Sequence, residues 1–77
     1  MNYDLAMMAL EGLARAPLAI RNEGGQLIIE GVPASFKDLA RLFLLLGSAD
    51  ATRDDSFELQ PGVHVVAASP KVFLRTL

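Results

Sequence analysis

Apolar residues recur along this chain with two different periods, and the changes between them predict its elements. From Asn2 to Arg15 the residues are mainly Leu, Met, Ala and Glu, with no proline or β-branched residue among them, which favours a helix. At 100° per residue Asp4, Glu11 and Arg15 share one narrow stripe, with Glu11 and Arg15 in the favourable i,i+4 order. Tyr3, Leu5, Met7, Met8, Leu10 and Leu13 occupy nearly everything else. Gly12 is a weak point in this helix or a place of close approach, and Pro17 marks its exit.

Leu18 to Asn22 and Gln26 to Val32 are strands joined by Glu23-Gly24-Gly25, because paired glycines between apolar runs supply positive φ for a tight hairpin. Leu27 and Ile29 share one face of the second strand, and Ile28, Glu30 and Val32 the other. A second helix is predicted from Ser35 to Leu46, with Ser35 and Asp38 as a capping-box-like start and Gly47 as its stop. Phe36, Leu39, Phe43 and Leu46 form its core stripe, flanked by Ala40 and Leu42; Lys37, Asp38 and Arg41 form its polar side. Leu44 and Leu45 fall within that polar side. After a polar loop from Ser48 to Asp55, strands are predicted over Ser56–Gln60, Val63–Ala68 and Val72–Leu77. Pro61-Gly62 and Ser69-Pro70-Lys71 supply the turns between them.

The predicted order is α-β-β-α-β-β-β. It describes one α+β domain over residues 1–77, with a mainly antiparallel sheet and two helices packed on one face.

Composition narrows the function classes. The chain has 77 residues, 52 % hydrophobic, with no cysteine and a formal charge of −2. Disorder is disfavoured, since disordered chains combine low hydrophobicity with high net charge. The absence of cysteine removes disulfide scaffolds and thiolate metal sites. A pI of about 5.1 and scattered basic residues argue against nucleic acid. The longest apolar run, Leu42 to Gly47, is far short of the roughly 20 residues that span a bilayer. Asp4 and Glu11 interrupt any signal-like stretch, and no basic segment precedes it, so the chain reads as cytoplasmic with no membrane partner. A compact monomer of this mass buries about 4,500 Å² of apolar surface, contributing about 110 kcal/mol. Ordering the chain costs about 115 kcal/mol. With terms so nearly balanced, a second subunit is one obvious source of added burial.

Candidate chemistry is sparse. His64 is the side chain whose ordinary pKa lies nearest neutrality, and it is expected on the outer face of a strand between inward Val63 and Val65. Ser56 has no Gly-x-Ser-x-Gly surroundings, so no catalytic residue is assigned. Asp50, Asp54, Asp55 and Glu58 are carboxylates of the kind hard cations favour, but their spacing matches no EF-hand, and they read as a solvated loop. The glycines form no phosphate-binding loop, and no cofactor or metal is implied.

The segment from Leu27 to Pro33, followed by Ser35, Phe36, Leu39, Ala40 and Phe43, is similar to strand-to-helix joins in small bacterial immunity proteins of toxin systems. The similarity consists of apolar periodicity with glycine and proline, and no residue role is carried over from it. The most informative feature is the apolar surplus. One sheet does not cover every apolar side of the first helix, Met7 and Met8 flank its polar stripe, and Leu44 and Leu45 break the polar side of the second. These four residues are expected at an interface of a non-enzymatic protein that acts through contacts, as a homo-oligomer (a dimer) or as an accessory or regulatory subunit bound to another protein. The alternative is a small-molecule-binding or enzymatic oligomer in which His64, Tyr3 and Glu30 converge on a pocket.

Overall fold

A computed structural model describes residues 1–77. Helix α1 covers Tyr3–Arg15 and is capped by Asn2, whose side-chain oxygen accepts the Leu5 N–H at 3.2 Å. It buries Ala6, Ala9, Gly12 and Leu13, a stripe at spacings of three and four. Helix α2 covers Pro33–Leu46, and the two helices pack against each other. The contact is close because Gly12 has no side chain. A Cβ built there would lie 2.0 Å from one carboxylate oxygen of Asp38.

Strands β1 (Ala19–Glu23) and β2 (Gln26–Glu30) form an antiparallel hairpin closed by Glu23 and Gln26. Gly24 and Gly25 have φ of +58° and +82°, the positive values a two-residue hairpin turn demands, so the paired glycines do what their sequence predicts. Strands β3 (Ser56–Leu59) and β4 (Val72–Arg75) form a second antiparallel hairpin. The fold is α+β with mainly antiparallel strands, as the hydrophobic pattern predicts. The strands divide into two two-stranded sheets.

The order observed is α-β-β-α-β-β, one strand shorter than predicted. Val63–Ala68 is not a strand. The Gln60 carbonyl accepts the N–H groups of Val63, His64 and Val65, which coils the chain just after Pro61-Gly62. The segment then meets Leu18, the residue before β1, at a single rung, where the Leu18 N–H donates to the His64 carbonyl and the Val66 N–H to the Leu18 carbonyl. A further turn from Val66 to Ser69 ends the contact. Alternating valines satisfy the period of a strand, but these backbone groups are spent on turns.

The core is drawn from both helices, β1, β3 and this loop: Leu13, Leu18, Leu42, Leu59 and Val65 are fully enclosed. Strands β2 and β4 contribute no fully buried residue and form the outer strand of each hairpin. In α2 the buried stripe is Ser35, Leu39 and Leu42, and both Phe36 and Phe43 are exposed. Ser35 is not the helix cap. The helix begins two residues earlier at Pro33, and the buried Ser35 hydroxyl donates to the Ala16 carbonyl at 2.6 Å. That bond ties the Ser35 side of α2 to the exit of α1, and the phenylalanines lie outside the buried stripe. No helix is long and apolar enough to cross a membrane.

Candidate functional site

The surface is large for the chain. Its area is 5082 Å², against about 4,600 Å² for a compact monomer of this mass. The radius of gyration is 12.4 Å, against about 11.5 Å for this length. The excess includes a face shared by both helices. Leu5 and Met8 of α1 lie one turn apart and adjoin Arg41, Leu44 and Leu45 of α2 across two shallow depressions. Met8 is 63 % exposed and Leu44 74 % exposed, while Leu45 is half-buried at the foot of the face. Leu44 and Leu45, two of the four residues singled out by the apolar surplus, share one depression, and Met8 lines the next, with Leu5 and Arg41 common to both. Met7 is not among them: it lies on the other flank of α1, beside Leu10, Glu11, Ala14 and His64. Leu5 was not singled out, although its spacing of three from Met8 placed it on the same flank.

The rim of this face carries both signs of charge. Asp4, one helical turn before Met8, and Arg15 lie beside it on α1. On α2, Arg41 donates to the Asp38 carboxylate at 2.7 Å, and that carboxylate lies over Gly12.

His64, Tyr3 and Glu30 are each committed to a different partner. His64 sits in the coiled loop. Its Nδ1 accepts the Gln60 N–H at 3.0 Å, which places the proton of the neutral ring on Nε2. Its ring faces the Met7 flank of α1 in a groove of about 260 Å³ that neither Tyr3 nor Glu30 lines. The Tyr3 hydroxyl donates to the buried Asp55 at 3.2 Å, and the negative charge of Asp55 raises the Tyr3 pKa above its ordinary value. Glu30 accepts from Arg21 across the first hairpin, and Arg21 also donates to Glu23 at 2.8 Å.

Partial burial holds the His64 pKa below its ordinary 6.5. The unfolded chain therefore takes up a proton at higher pH than the folded one. The stabilisation is complete above pH 6.5 and is lost as pH falls through 6.5 towards the lower folded value. Urea midpoints measured at pH 7.5 and pH 5 are expected to drop more in the native chain than in His64→Gln. Equal drops in the two chains contradict this role.

The loop carboxylates are likewise dispersed. Asp50 accepts from Ser48, Asp55 from Tyr3 and the Thr52 N–H, and Glu58 from Gln60 and Lys71. No group of three or more His, Asp or Glu is arranged to hold a metal ion.

A second apolar feature is a cleft of about 370 Å³ between the hairpins and α2. Its walls include Ile20, Leu27 and Ile29 from the first hairpin, Phe43 from α2, and Val72 and Phe73 from β4. Leu27, Ile29 and Phe73 were not singled out from sequence as surface features, because alternation alone assigns a strand two faces without saying which is covered. No protein-family model matches this chain, and no curated protein or solved structure matches it.

Proposed function

We propose that this chain is a non-enzymatic protein that acts through protein contacts, and that its principal contact is a homodimer formed by the shared face of α1 and α2. The observation that carries the reading is the adjacency of Leu5, Met8, Leu44 and Leu45 on two packed helices. A second copy suits this face for two reasons. Its rim has Arg15 and Arg41 as well as Asp4 and Asp38, so a two-fold apposition has opposite charges available on both sides. Its centre is aliphatic and contains methionine, which adapts to an irregular neighbour. Burial of this face also relieves the near balance between apolar burial and chain entropy in so small a domain.

The expected result at micromolar concentration is a mass of twice 8.3 kDa by sedimentation equilibrium. The double variant Met8→Glu, Leu44→Glu is expected to sediment as a monomer with its circular dichroism unchanged, because both side chains are exposed and exposed substitutions shift stability little. A monomeric native chain, or a double variant of unchanged mass, rejects the reading.

A further inference from the structure

The two strands of the first hairpin have very different outer edges. The edge of β1 is capped: the Ile20 N–H donates to the buried Ser69 hydroxyl at 2.8 Å, and just before the strand Leu18 exchanges bonds with His64 and Val66. These bonds also fix the phase of the ladder. Ile20 points away from β2, so Ile20 and Ile29 are a pair that exchanges no backbone bonds, and by alternation so are Asn22 and Leu27. The N–H and C=O groups of Leu27 and Ile29 therefore point outward from β2. No backbone group elsewhere in the chain bonds to them. No lysine, proline or bulge blunts this edge, which are the usual protections of a free strand.

The strand is also symmetric in character. Gln26-Leu27-Ile28-Ile29-Glu30 reads polar, three aliphatic, polar in either direction. We propose that β2 pairs edge to edge with β2 of a second copy, antiparallel about a two-fold axis through Ile28. Leu27 then stands opposite the partner's Ile29, and each such pair exchanges both of its outward backbone bonds. The Gln26 amide stands opposite the partner's Glu30, so no like charges meet. The Leu27 and Ile29 side chains close over their counterparts on the face that lines the cleft, which covers the 65 % exposed Leu27. The product is a four-stranded antiparallel sheet.

This contact is short, so it forms at higher concentration than the helix-face dimer. Only the size of the final assembly rests on that earlier reading: two different isologous surfaces on one subunit generate a closed tetramer or an open chain.

Amide hydrogen exchange tests the pairing directly. Leu27 and Ile29 amides lack an acceptor within the chain, while the Ile28 amide lies on the β1 side of the ladder. Between about 20 μM and about 1 mM protein, Leu27 and Ile29 exchange is expected to slow at least tenfold, on the order expected for hydrogen bonds that form on association. Ile28 exchange is expected to stay constant. The Leu27→Lys chain is expected to lose the concentration dependence at Ile29. The same series in Met8→Glu, Leu44→Glu separates the two surfaces. Retained dependence there with a monomer at micromolar concentration supports both contacts, and retained dependence with unchanged mass supports the edge while rejecting the helix-face dimer. Fast exchange of Leu27 and Ile29 at every concentration, protection that does not vary with concentration, or full dependence in Leu27→Lys overturns the proposal.

Discussion

Leu13→Ala is expected to bring the domain close to unfolding. Leu13 is fully enclosed where α1 meets the remainder of the core. Removing its branched end forfeits transfer energy and leaves a cavity that rigid neighbours fill only in part, at a cost of about 3–5 kcal/mol. A domain of this length has a total stability of roughly 4–12 kcal/mol. The melting temperature is expected to fall by at least about 12 °C, since each kcal/mol shifts a small domain by about 4–8 °C. Thermal melts followed by circular dichroism check this. A fall under about 4 °C would show that the site collapses around the smaller side chain.

The second large effect is at Gly12, and here two terms oppose each other. Alanine in a helix interior is better than glycine by about 1 kcal/mol. Against this, the new Cβ meets Asp38 at 2.0 Å and 2.7 Å, at the carboxylate oxygen and carbon. Asp38 has a short side chain, and Arg41 holds it at 2.7 Å. Its displacement resembles overpacking, which costs about 1–3 kcal/mol. Gly12→Ala is therefore expected to destabilise the native chain. In an Asp38→Ala background the clash is gone while the propensity gain remains, so the same substitution is expected to stabilise by up to about 1 kcal/mol. The reversal of sign is the diagnostic, because it isolates the pairwise term. Chemical denaturation of the four chains measures it. Destabilisation of equal size in both backgrounds would place the crowding elsewhere than on Asp38.

Gly12 illustrates how a sequence signal is sharpened by structure. As a sequence feature it is a weak point or a close approach, and only the neighbouring helix decides between them. The same holds for the candidate interface. The apolar surplus of α1 and the out-of-place Leu44 and Leu45 are legible from periodicity, because a helix presents a fixed angle per residue. Periodicity says nothing about which flank faces which neighbour. Met8 turns towards Arg41 of α2 in the depression next to that of Leu44 and Leu45, whereas Met7, adjacent in sequence, turns towards His64. The exposure of Phe36 and Phe43 was not legible either. Both fit an apolar stripe, but the face that α2 buries is that of Ser35, Leu39 and Leu42, where the Ser35 hydroxyl meets the distant Ala16 carbonyl.

What the sequence determined by itself is local. Two glycines made a hairpin turn, uninterrupted helix formers made two helices, and a composition half hydrophobic in a short chain left more apolar surface than one core absorbs. These follow from sterics and spacing within a few residues. Tertiary structure decided the rest. It seated the coiled Val63–Ala68 segment against Leu18, whose amide and carbonyl pair with the His64 carbonyl and the Val66 amide. It capped the edge of β1 with Ser69, forty-nine residues away, and left that of β2 open. The physical reason is that a backbone hydrogen bond or a buried face is completed by its partner, and those partners come from distant parts of the chain.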